Sequence, residues 1–123
     1  MTAKFALIIE DNRAIGDIYA TALEMVEFQS ELVVDGKEAL ERVEDIVPDL
    51  IILDMNLPQV SGHYIYKKIR SDARLNDTRV IISTANALIA KMISEDLDPQ
   101  DHLLMKPVGP REIIDTMGKM GLM

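Results

Sequence analysis

Leu50-Ile51-Ile52-Leu53-Asp54 is the stretch on which the fold turns: four apolar residues run without a break into an acid. An apolar run of strand length with no polar alternation suits a strand covered on both faces, as in a parallel sheet. Toward the N-terminus, Phe5 to Ile9 repeats the pattern and stops at Glu10-Asp11-Asn12, where Asp11 or Asn12 can cap a helix. From Ala14, the positions Ile15, Ile18, Tyr19, Ala22, Leu23 and Val26 recur at helical spacing. A second strand is expected over about 30 to 34, then an Asp35-Gly36 turn, then a short helix over 38 to 44 ended by Pro48. On the other side of Asp54, a loop with Pro58 and Gly62 leads into a third helix reaching about Ser71. Arg79 to Ser83 reads as strand four, Ala87 to Glu95 as helix four, Leu103 to Met105 as strand five, and Pro110 opens helix five. Five strand-then-helix units predict an α/β fold, a parallel sheet with helices on both faces.

At 123 residues the chain can bury one core and is read as a single domain over 1–123. With 13 basic and 21 acidic residues the net charge is −8, which repels phosphate backbones and anionic membranes and argues against direct nucleic-acid binding. The absence of cysteine removes disulfides, thiolate nucleophiles and cysteine-ligated metals, and fits a reducing cytoplasm. No segment approaches the roughly 20 apolar residues of a membrane helix, and a cytoplasmic protein is the expectation.

In an open α/β sheet, ligands bind beyond the carboxyl ends of the strands, where the strand order reverses. Glu10 and Asp11 follow strand one, Asp54 closes strand three, Thr84 follows strand four and Lys106 follows strand five. A doubly wound sheet in the order 2-1-3-4-5, the flavodoxin-like arrangement, sets strands one and three side by side and puts three carboxylates in one crevice. Such a trio repels itself by roughly 1 to 4 kcal/mol per pair unless a cation joins it. Oxygen ligands with room left for water and a phosphoryl oxygen suit Mg2+. An Asp carboxylate can attack phosphorus to give an acyl phosphate, while a Thr84 hydroxyl and the Lys106 ammonium neutralise phosphoryl oxygens.

With these residues in view, the sequence resembles the receiver domain of two-component response regulators over nearly its whole length. The resemblance rests on Ile-Glu-Asp-Asn at 9 to 12, Asp-Gly-Lys-Glu-Ala-Leu at 35 to 40, Leu-Asp-Met-Asn-Leu-Pro at 53 to 58 with Gly62, Ser-Thr-Ala at 83 to 85 and Lys-Pro at 106 to 107. It implies Asp54 as phosphoacceptor, Asp11 and Asp54 as direct magnesium ligands, Glu10 acting largely through water, and the Asn56 backbone carbonyl as a further ligand. It implies Thr84 and Lys106 as the phosphate-contacting pair and a cis Lys106-Pro107 bond, with Asn56 and Asn86 at positions that tune dephosphorylation. It implies a histidine kinase or histidine phosphotransfer protein as donor, an unidentified protein as target, self-phosphorylation and autodephosphorylation rather than enzyme turnover, and a monomer or weak dimer.

Two features depart from the family pattern. Leu103 stands where an aromatic switch residue is usual, and Asp101-His102 replaces the familiar Gly-Ala before it. A phosphorylation-independent interaction domain of the same fold is therefore an alternative. A second is an aspartyl phosphatase of the haloacid dehalogenase type, although Asn56 stands where those enzymes carry an acid. A flavin-carrying flavodoxin is a weaker third, because the first loop offers two carboxylates to a phosphate. His63 and His102 read as surface or loop residues, and Met117, Met120 and Met123 as core and tail. Leu88, Ile89, Met92 and Ile93 read as a stripe packed on the sheet. Glu95, Asp96 and Asp98 oppose the helix dipole and are expected to leave that helix end mobile.

Overall fold

The computed structural model describes residues 4–123. Its strands are β1 (Lys4–Ile9), β2 (Phe28–Val33), β3 (Leu50–Asp54), β4 (Arg79–Thr84) and β5 (His102–Met105). The helices are α1 (Arg13–Met25), α2 (Gly36–Asp45), α3 (Gly62–Ser71), α4 (Ala87–Asp96) and α5 (Pro110–Lys119). A single 3-10 turn over Ala73–Leu75 leads into β4. All pairings are parallel, and the sheet order is β2-β1-β3-β4-β5, as expected from the sequence. Every residue of β3 is buried.

Alternate residues of the strands feed two cores, one on each side of the sheet. Leu7, Ile9, Ile51, Leu53, Val80 and Ile82 pack with Ala39, Val43, Ile65, Tyr66, Ile69 and Ile93 of α2, α3 and α4. Ala6, Ile8, Leu50, Ile52 and Ile81 pack with Tyr19, Ala22, Leu23, Ile113 and Met117 of α1 and α5. Burial of each large apolar side chain contributes about 1.5–3 kcal/mol, so both layers are needed.

Side-chain caps set the helix starts. Asn12, not Asp11, caps α1: its Oδ1 accepts from the Ile15 amide at 3.1 Å. Asp35, Ser61 and Asn86 cap α2, α3 and α4 in the same way. Pro110 sits in the first turn of α5, where its missing N–H costs nothing.

Several local expectations shift. β2 starts two residues earlier than its polar Gln29-Ser30-Glu31 suggested, because buried Phe28 pairs with Lys4 at the sheet edge. Met117 and Met120 are buried and Met123 is exposed. The α4 stripe is split: Ile93 is buried and Ile89 partly so, but Leu88 and Met92 face solvent. His102 is a half-buried strand residue rather than a loop residue. The end of α4 is tied down: His63 Nε2 meets Asp96 Oδ2 at 3.2 Å, and the Asp98 amide donates to Tyr66 Oη at 2.9 Å.

Candidate functional site

Four of the five strands deliver polar residues to one rim of the sheet. β1 ends at Ile9, so Glu10 and Asp11 emerge beside Asp54 at the end of β3, while Thr84 closes β4 and Lys106 follows β5. These residues, with Asn56, line a cleft of about 430 Å³. One carboxylate oxygen from each of Glu10, Asp11 and Asp54 lies within 4.8 Å of the others. Glu10 and Asp54 are buried and Asp11 is exposed at the mouth.

The approach of α3 to β3 depends on Gly62. A Cβ there would stand 2.6 Å from the Asp54 carbonyl oxygen and 2.6 Å from Met55 Cα, both backbone atoms that cannot yield. The loop after β3 is further held by the Asn56 amide, which donates to Asp54 Oδ1 at 3.1 Å.

Lys106 is drawn into the acids. Its Nζ lies 2.9 Å from Glu10 Oε1 and 3.4 Å from Asp54 Oδ1. Burial lowers a lone ammonium's pKa, but these two carboxylates outweigh burial here and hold Lys106 above its ordinary value. Glu10 is pushed up to about 7, first by burial and then by the Asp54 charge, while Lys106 and the Asn12 amide pull the other way. One ammonium, in contact with two of the three clustered acids, does not balance them, and the excess negative charge suits a small divalent cation bound through oxygen.

Thr84 Oγ1 accepts from the Asn86 amide at 3.1 Å. Its own hydrogen is thereby directed to a different acceptor, in a cleft that the residue lines. The Lys106-Pro107 peptide is cis. Leu103 packs, partly buried, against the core on the α3–α4 side.

Two constellations escaped sequence reasoning. The first lies on the other side of the rim, where Tyr19 of α1 and Ser83 of β4 are buried with neighbouring hydroxyls that have no hydrogen-bond partner outside this pair among the described residues. The second holds the α4–β5 junction. Buried Asp101 accepts from Tyr66 Oη at 2.7 Å and from the Val80 amide at 2.8 Å, with Arg70 Nε at 3.5 Å. Burial drives the Asp101 pKa upward, against these bonds. Neither set is marked by local spacing, since each is assembled from distant segments.

The family model for the response regulator receiver domain matches residues 6–117. The chain is 34% identical over 108 residues to the "DNA-binding dual master transcriptional regulator RpaA" of Synechocystis, covering 88% of this chain and 45% of that protein. It is 31% identical over 114 residues to the phosphate regulon transcriptional regulatory protein PhoB of Pseudomonas aeruginosa, covering 93% and 50%. The chain thus spans about half the length of these curated relatives. Among solved structures it is similar to the chemotaxis response regulator CheY4 of Vibrio cholerae, with a TM-score of 0.85 at 23% identity over 97% of this chain and 99% of that one. A putative response regulator from Chloroflexus aurantiacus superposes with a TM-score of 0.86 at 19% identity, over 99% and 100%. No helix among the described residues is long and apolar enough to cross a membrane.

Proposed function

Since the chain belongs to the response regulator receiver family, we propose that it accepts a phosphoryl group on Asp54 and signals through phosphorylation-dependent protein binding. The observation that carries this reading is the meeting of Glu10, Asp11 and Asp54 within 4.8 Å, with Lys106 3.4 Å from Asp54. An Asp54 oxygen attacks phosphorus as the donor's N–P bond breaks, and the bonding pair leaves with the imidazole nitrogen of a histidine kinase or phosphotransfer protein. Glu10, Asp11, Asp54 and the Asn56 carbonyl would hold Mg2+. When bound, that ion supplies charge neutralisation at the phosphoryl oxygens. Lys106 and the Thr84 hydroxyl take the remaining oxygens as donors.

The donor set fits this ion. All side-chain ligands are carboxylates, and Glu10, raised to about 7, has a proton that a cation displaces readily. Phosphatase chemistry is disfavoured, because the side chain of Asn56 is a carboxamide and has no carboxyl group to serve as general acid.

Intact-mass measurement after incubation with Mg2+ and acetyl phosphate tests the reading. One phosphoryl mass is expected on the parent chain and none on Asp54→Asn. A label that persists in Asp54→Asn would end the assignment.

A further inference from the structure

Tyr19 is 1% exposed in the core between α1 and the sheet. Its hydroxyl meets no hydrogen-bonding group beyond the neighbouring Ser83, and a buried hydroxyl with an unmet site is costly. Ser83, fully buried on β4 and paired in register with Asp54, lies within hydrogen-bonding reach of it and has no partner outside this pair. The charges near the phenol are those of Lys106, Glu10 and Asp54. Tyr19 and Lys106 also share the wall of a largely apolar cleft of about 280 Å³, with Ile15, Ile18, Pro107 and Val108. An ammonium has three N–H donors, and Lys106 faces only two carboxylate partners, Glu10 and Asp54.

We propose that Tyr19, backed by Ser83, is a positioning residue for Lys106: as the ammonium leaves Glu10 for a phosphoryl oxygen on Asp54, the phenol oxygen accepts its third N–H. Ser83 Oγ, already beside the phenol, accepts the phenol hydrogen and leaves the phenol oxygen free to take the ammonium's N–H. The inference rests on the phosphoacceptor reading of Asp54 and adds two residues that touch neither phosphorus nor metal.

A double-mutant cycle tests it, with two readouts in each protein: the initial rate of Asp54 phosphorylation by acetyl phosphate, and the affinity for beryllofluoride with Mg2+ as a non-reacting phosphoryl mimic. Tyr19→Phe should lower both by about tenfold, the weight of one charge-assisted hydrogen bond, and leave the melting temperature of the metal-free protein unchanged or higher. In a Lys106→Met background the same substitution should change neither readout. Ser83→Ala should give a smaller loss that disappears in Tyr19→Phe. Equal losses with and without Lys106 would mean that the ring merely supports the fold, and would overturn the proposal. Parental values in Tyr19→Phe would overturn it while leaving the phosphoacceptor reading intact. A parent chain that takes no label would overturn both.

Discussion

Glu10 is the residue whose chemistry departs furthest from what its position in the sequence suggests. An acid placed after a strand is ordinarily solvated and ionised, yet Glu10 is fully buried and its pKa is pushed up to about 7. A carboxyl group with a raised folded-state pKa stabilises fully below its ordinary value of 4.5, and that contribution is lost as the pH rises through about 7. The metal-free protein should therefore melt at progressively lower temperature across this window. Asp54→Asn removes one of the charges that raise Glu10, while Lys106 keeps its 2.9 Å contact with Glu10. It should stabilise the metal-free protein by on the order of 1 kcal/mol near pH 8, with a smaller effect near pH 5. Thermal melts at the two pH values check this, and a destabilised mutant at the higher one would contradict the repulsion account. Mg2+ must displace the Glu10 proton, so its dissociation constant should rise by up to about tenfold per pH unit below that pKa, as titration calorimetry would show. Binding independent of pH would remove Glu10 from the ligand set.

Among the elements, the α4–β5 junction differs most from the sequence reading. Acids at 95, 96 and 98 suggested a loose helix end, but Asp98 receives its anchor from Tyr66, and Asp101 gathers Tyr66, Val80 and Arg70. Hydrogen exchange should find the amides of Val80, Asp98 and Asp101 protected, and fast exchange at all three would contradict the network. Asp101→Ala should cost about 3–5 kcal/mol in denaturant melts, because it leaves two buried donors without an acceptor and takes the nearby counter-charge from Arg70, which keeps only its bond to the Thr78 carbonyl. Tyr66→Phe should cost nearer 1 kcal/mol, since Asp101 keeps its other partners. The elements themselves were legible because apolar runs such as Leu50 to Leu53 and caps such as Asp35 and Asn86 are local signals. The candidate site was legible for the same reason, as Asp54, Thr84 and Lys106 each stand at a strand end. Asp101–Tyr66 and Tyr19–Ser83 were not, because a pairing across 35 or more residues leaves no periodicity to read. Whether α4 buries both sides of its apolar stripe also depends on how it lies against the edge of the sheet, which periodicity does not encode.

For the whole molecule, the acidic rim makes metal binding and folding one equilibrium. Mg2+ binds the gathered carboxylates and not the dispersed ones, so a hundredfold excess over its dissociation constant should stabilise the fold by about 2.7 kcal/mol. A melting temperature that does not move across a magnesium titration would count against the site. The strand order carries a further consequence. β1 lies between β2 and β3, so a backbone cut between Val47 and Pro48 would put β1 and β2 on one piece and β3, β4 and β5 on the other. Glu10 and Asp11 would travel with the first piece, and Asp54, Thr84 and Lys106 with the second. Each fragment would bear an unzipped sheet edge and half of a cation's ligands. Only the recombined pair would capture the ion, which makes the rim a built-in reporter of fragment complementation.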